Sequence, residues 1–193
     1  MARTVSTMTA LATPAPDFAL PDAVSGRTVR LADFAPAEVL VVMFICNHCP
    51  YVKHVRDELA RFARDMAKTG RVSVVAISSN DIQTYPQDAP PEMRREALEA
   101  GYTFPYLFDE TQEVAKAYGA ACTPDFFVYD RARRLAYRGQ LDDSRPKVEH
   151  PAPVTGRDLR AAVTALLEGR SPSSDQRPSL GCNIKWKPGN EPR

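Results

Sequence analysis

The chain lacks most features that would assign it early. Four cysteines among 193 residues are too few, and too unevenly spaced, for the disulfide framework of a small secreted domain. Neither charge sign prevails: 25 Lys and Arg stand against 24 Asp and Glu, which leaves no basic footprint for nucleic acid and no polybasic anchor for a membrane. No apolar stretch approaches the roughly 20 residues needed to span a bilayer. The segment Met1 to Leu11 has one basic residue and no sustained apolar run, so it does not read as a signal peptide. No internal repeat is visible. These absences point to a cytoplasmic protein with no nucleic-acid and no membrane partner, in a compartment where disulfides are mostly transient and catalytic.

What is present is an alternation of buried strands and amphipathic helices. Val39 to Ile45 is almost continuously apolar, as a strand covered on both faces would be. Pro50 to Lys68 carries Val52, Val55, Leu59, Phe62 and Met66 at spacings of three and four, which predicts a helix that Gly70 ends. Val72 to Ile77 is a second buried strand. Glu92 to Ala100 is a helix, Phe104 to Asp109 a short edge strand, and Glu110 to Tyr118 a helix with Asp109 as its N-cap. Phe126 to Asp130 and Leu135 to Arg138 form a hairpin, followed by a helix over 158–168. The pattern indicates an α/β fold with a central mixed β-sheet and helices on both faces. It divides into an N-terminal arm (1–15), read as loose, a domain (16–169), and a Pro-rich C-terminal tail (170–193). The apolar knot Cys182, Ile184 and Trp186 is expected to fold the tail back on the domain, near the active site. The connection from Asp81 to Pro91 is long for a compact domain and is read as rimming the site.

The chemistry concentrates at Cys46-Asn47-His48-Cys49-Pro50, between the first buried strand and the first long helix. Two thiols two residues apart can close a small disulfide ring. A helix N-terminus favours a thiolate through its unpaired N–H groups and macrodipole, an effect expected to fall on the first thiol. A CxxC is also compatible with a structural or metal-binding pair, but the chain has no second ligand pair at zinc spacing.

Three segments resemble the redoxin branch of the thioredoxin-like superfamily, the thioredoxin-like and peroxiredoxin-like proteins with an AhpC/TSA-type domain. They are Cys46-Asn47-His48-Cys49 after a hydrophobic strand, the segment from Asp109 to Gly119, and Thr123-Pro124 before the strand Phe126 to Asp130. The resemblance covers about residues 15–168 and implies a thioredoxin-like fold. It makes Cys46 the nucleophile and more exposed sulfur, Cys49 the resolving thiol, and Thr123-Pro124 a cis-proline loop facing Cys46. That loop, with Asn47, would bind substrate, its backbone pairing with an extended segment. His48 would stabilise the Cys46 thiolate and set a potential of about −180 to −230 mV. Cys122 and Cys182 are candidate accessory thiols, and Trp186, the only tryptophan, is expected to pack near the site.

Two positions depart from the family. The buried Asp that thioredoxin carries six residues before its nucleophile is replaced by Leu40, and the Thr that peroxiredoxins place three residues before theirs by Met43. The function so implied is thiol–disulfide exchange on protein or small-molecule disulfides, recycled by an unidentified thiol reductant. No cofactor is expected beyond the redox-active disulfide, and no metal. Reduction of peroxides, a copper- or zinc-binding module on the same cysteines, and a redox-silent scaffold are the alternatives.

Overall fold

The computed structural model describes residues 3–146 and 148–192. Its strands begin with β1 (Arg3–Val5), β2 (Ala19–Pro21), β3 (Thr28–Arg30) and β4 (Val39–Phe44). Helix α1 (Pro50–Lys68), β5 (Val72–Ser78), α2 (Pro90–Ala100), β6 (Tyr106–Phe108) and α3 (Glu113–Tyr118) follow. The last elements are β7 (Cys122–Thr123), β8 (Asp125–Tyr129), β9 (Leu135–Gly139), α4 (Arg157–Leu167) and β10 (Leu180–Asn183).

Five strands form the central sheet in the order β6-β5-β4-β8-β9. β4 runs parallel to β5, and β5 to β6, whereas β8 is antiparallel to both β4 and β9, so the sheet is mixed. β4 lies at its centre, fully buried, because alternate side chains feed two different cores. Val39, Val41, Met43 and Ile45 point to one face, where α1, α2 and α4 contribute Val52, Leu59, Phe62, Met93 and Leu159. Leu40, Val42 and Phe44 point to the other, where they meet Ala115 and Tyr118 of α3 and Phe18, Leu20 and Phe34 of the N-terminal region. Helices therefore cover both faces. None is long and apolar enough, among the described residues, to cross a membrane.

Three local expectations are corrected. The N-terminal arm is not loose: β1 pairs antiparallel with β10, Arg3 opposite Cys182, and β10 pairs in turn with β7. Both ends of the chain thus join one small sheet, which gives the arm's N–H and C=O groups partners. α2 starts at Pro90 rather than Glu92, since Pro90 and Pro91 fall in the first turn, where an N–H has no helical acceptor. α3 starts at Glu113 rather than Glu110, with Gln112 as N-cap in the left-handed region. Asp109 still serves that helix from outside it: its Oδ2 accepts the Ala115 N–H at 2.9 Å and the Ser79 hydroxyl at 2.9 Å.

Leu59 is fully buried between α1 and the sheet. Leu59→Ala is expected to lower the unfolding free energy by about 3 kcal/mol, from lost transfer energy plus a residual cavity. Denaturant unfolding at constant m-value measures it.

Candidate active site

β4 ends at Phe44 and α1 begins at Pro50, so the CxxC lies on the turn between them, with Cys49 as the N-cap. A chain leaving a strand for a helix has N–H groups with no backbone acceptor. Here Oδ1 of Asp88 accepts two of them, from Asn47 at 2.8 Å and His48 at 3.2 Å. Oδ2 of the same carboxylate accepts the Asn80 amide at 2.8 Å and His48 Nδ1 at 2.6 Å. Asp88 is wholly buried at the end of the short 3₁₀ turn Pro86–Asp88, and four donors answer the cost of desolvating it. The His48 ring stacks on Tyr85 at 5.1 Å, and its buried Nε2 has no hydrogen-bond partner. Asn47 is tied down further: its amide donates to Gln87 O at 2.9 Å and its Oδ1 accepts the Tyr106 hydroxyl at 3.0 Å.

Cys46 is 2% exposed and Cys49 0%, so the first thiol is scarcely more open than the second, contrary to expectation. Thr123 covers both. Its hydroxyl lies 3.3 Å from Cys46 Sγ, and its carbonyl accepts the Cys49 thiol at 3.1 Å. A third thiol, Cys182, lies with both in the same buried cluster. Burial pushes the Cys46 thiol well up, helped by the neighbouring Cys49 and by the Asp88 charge. Cys49 is pulled down by the neighbouring Cys182 and Cys46, with a smaller contribution from the Val52 N–H of the first helical turn.

The Thr123–Pro124 peptide bond is cis. One edge of β7 is taken by β10, with Cys182 opposite Thr123 and Asn183 opposite Cys122. A Cβ on Gly181 would sit 2.1 Å from the Thr123 carbonyl oxygen, so glycine is what lets this strand approach. Beyond β10, Lys185 N–H donates to Asn80 Oδ1 at 2.8 Å, and Asn80 is the residue that donates to Asp88. Cys122 turns from the thiol cluster toward Pro124 O, 3.7 Å away, and burial raises its pKa. Trp186 does not pack with the thiols: it lies on the opposite core, with Ile184, Leu40 and Phe44.

Asp88, Asn80, Tyr85 and Asp125 were not picked out from sequence. The long Asp81–Pro91 connection was the one signal for Asp88 and Tyr85. Asp125, next to Pro124, is fully buried with Oδ1 unpartnered, and desolvation pushes its carboxyl up to about 8. Donor atoms of Cys46, His48 and Asp88 lie within 4.8 Å of one another. Thiolate, imidazole and carboxylate suit zinc or copper by type, but each Asp88 oxygen already takes two hydrogen bonds.

Two consequences can be measured. Asp88→Asn removes the charge that holds Cys46 up, so alkylation of Cys46, followed by mass, should shift to lower pH; an unchanged midpoint would refute the assignment. The variant should also lose about 1–3 kcal/mol of stability, because an amide cannot accept all four donors. For Asp125, the folded chain keeps a proton that the unfolded chain releases near pH 4. The native state then binds more protons between about pH 4 and 8, so this group makes stability fall as pH rises through that window. In Asp125→Asn that slope should vanish and the urea midpoint at pH 8 should rise.

The family model of the AhpC/TSA family matches residues 11–138. A solved structure of an uncharacterized conserved protein from Geobacillus kaustophilus is 56% identical, with a TM-score of 0.94 over 98% of each chain. A hypothetical protein from Sinorhizobium meliloti 1021 is 52% identical, with a TM-score of 0.93 over 96% of this chain and 100% of that one. A putative thiol:disulfide interchange protein DsbE from Chlorobium tepidum gives a TM-score of 0.62 at 21% identity, over 82% of this chain and 98% of that one, a likeness of fold alone. No curated protein matches the chain. The mixed sheet with helices on both faces is thus a thioredoxin-like fold, and the chain belongs to the AhpC/TSA family.

Proposed function

We propose that this protein is a thiol–disulfide oxidoreductase in which Cys46 attacks and Cys49 resolves. The observation that carries the reading is the pair Cys46 and Cys49 at a strand-to-helix turn, both sulfurs held against one residue, by the hydroxyl and the carbonyl of Thr123. Loss of the Cys46 proton to solvent makes Cys46 the thiolate, while Cys49 keeps the proton it donates to the Thr123 carbonyl. The Cys46 thiolate attacks one sulfur of a substrate disulfide, the S–S bond breaks, and the departing thiolate takes up a proton. Cys49 then surrenders its proton and attacks Cys46 Sγ, expelling the second substrate thiol. The substrate gains two electrons and the protein holds a Cys46–Cys49 disulfide, which an external thiol reductant reverses.

His48 acts here through Asp88. When protonated, it places a positive charge against the carboxylate that otherwise opposes the Cys46 thiolate. A groove of ≈ 440 Å³ beside Asn47 and His48, lined by Lys53, Arg56, Glu92 and Arg95, gives polar surface of both signs for a protein or small-molecule disulfide. The family match supports peroxides as a second substrate class. Cys46 would then take the distal peroxide oxygen as a sulfenic acid, and Cys49 would condense with it and release water. Met43, buried and apolar three residues before Cys46, supplies no hydroxyl to that reaction. The cytoplasm suits this reading, as a compartment where disulfides are mostly transient and catalytic.

Insulin reduction driven by dithiothreitol tests the reading. The wild type should accelerate turbidity, Cys46→Ser should abolish the acceleration, and Cys49→Ser should accumulate mixed disulfide at Cys46. Full activity in Cys46→Ser would overturn it. Peroxide consumption no faster than that of free cysteine would remove the second substrate class.

A further inference from the structure

The tail brings a third sulfur to the site. Cys182 is 3% exposed and lies in the same buried cluster as Cys46 and Cys49. Three features fix it there. Its β10 partner is Thr123, the residue whose two oxygens touch the other thiols. Gly181, one residue before, leaves no space for a side chain against the Thr123 carbonyl, which holds the strand in that register. The backbone N–H of Lys185, three residues on, is anchored on Asn80. Three sulfurs are thereby gathered around Thr123: Cys46 at its hydroxyl, Cys49 at its carbonyl and Cys182 as its strand partner. Cys122, opposite Asn183 in the register, does not share this position, since its thiol turns to the Pro124 carbonyl.

We propose that Cys182 is a third redox-active thiol, which takes over the disulfide from the CxxC by exchange at Cys49. The inference rests on the oxidoreductase reading for the first disulfide. Cys182 loses its proton and its sulfur attacks Cys49 Sγ in the Cys46–Cys49 disulfide. The Cys49–Cys182 bond forms as the Cys46–Cys49 bond breaks. The electron pair of the broken bond leaves on Cys46, which takes up the proton that Cys182 gave. No electrons enter or leave the protein in this step. Its result is an oxidised protein whose attacking thiol is restored, so that Cys46 meets a further substrate while the oxidising equivalents sit on the buried pair.

The test is a disulfide map. The whole chain is oxidised with glutathione disulfide, quenched in acid, alkylated, and digested with trypsin without reduction. Peptides are then identified by mass. The wild type should yield a Cys49–Cys182 cross-linked peptide with Cys46 alkylated, alongside the Cys46–Cys49 form. Cys46→Ser should still yield the Cys49–Cys182 peptide, and Cys182→Ser only Cys46–Cys49. Gly181→Ala, which displaces the strand without removing a thiol, should lose most of the Cys49–Cys182 product and keep Cys46–Cys49. A wild type that forms Cys46–Cys49 but leaves Cys182 fully alkylated, as does Cys46→Ser with Cys49, would overturn the third-thiol role and leave the oxidoreductase reading standing. A wild type that forms neither disulfide would overturn both.

Discussion

The buried carboxylate of Asp88 is the interaction on which the site's shape depends. Without it the Asn47 and His48 N–H groups would face the protein interior unpaired, and the CxxC turn would have nothing to set its course between β4 and α1. The same group orients the His48 ring and holds Asn80, and Asn80 in turn receives the tail at Lys185. One side chain thus couples the reactive turn, the loop that follows β5, and the segment beyond β10. It also sets the local field, since its charge opposes ionisation of Cys46.

The second constraint is the crowding around Thr123. Its hydroxyl meets Cys46, its carbonyl meets Cys49, and its strand partner is Cys182. The side-chain-free Gly181 is what lets the β10 backbone come this close to it. The thiols are therefore governed as a connected set of sulfurs and not one at a time.

The legible part of this protein was the local part. The period of α1 and the continuous apolar run of β4 are short-range patterns, and they placed the CxxC between a strand and a helix with bounds that match α1 at both ends. Asp88 is different. It lies 42 positions after Cys46 in a Pro-marked loop, and nothing about an Asp in a loop says that it will be buried against a turn far upstream. The loss of the thioredoxin Asp at Leu40 was visible, but which carboxylates would stand near the thiols was not. The knot at Cys182, Ile184 and Trp186 was legible as something that must be covered. Its division was not: a period of two would put all three on one face, but β10 ends at Asn183, and Cys182 joins the thiol core while Ile184, with Trp186, joins the opposite one. The N-terminal arm looked loose because three residues of strand carry almost no periodic signal.

The small sheet of β1, β10 and β7 also bears on time. Its outer strand is three residues long with two of them exposed, and it joins positions 179 apart in the chain. That outer strand buries none of its three residues, and edges of this kind open with a free energy well below that of the whole fold. Cys46, at 2% exposure, meets no reagent in the conformation described. Reaction at Cys46 then waits on local opening around Thr123, the residue that meets its sulfur, and the timing of the chemistry is set by motion before it is set by ionisation.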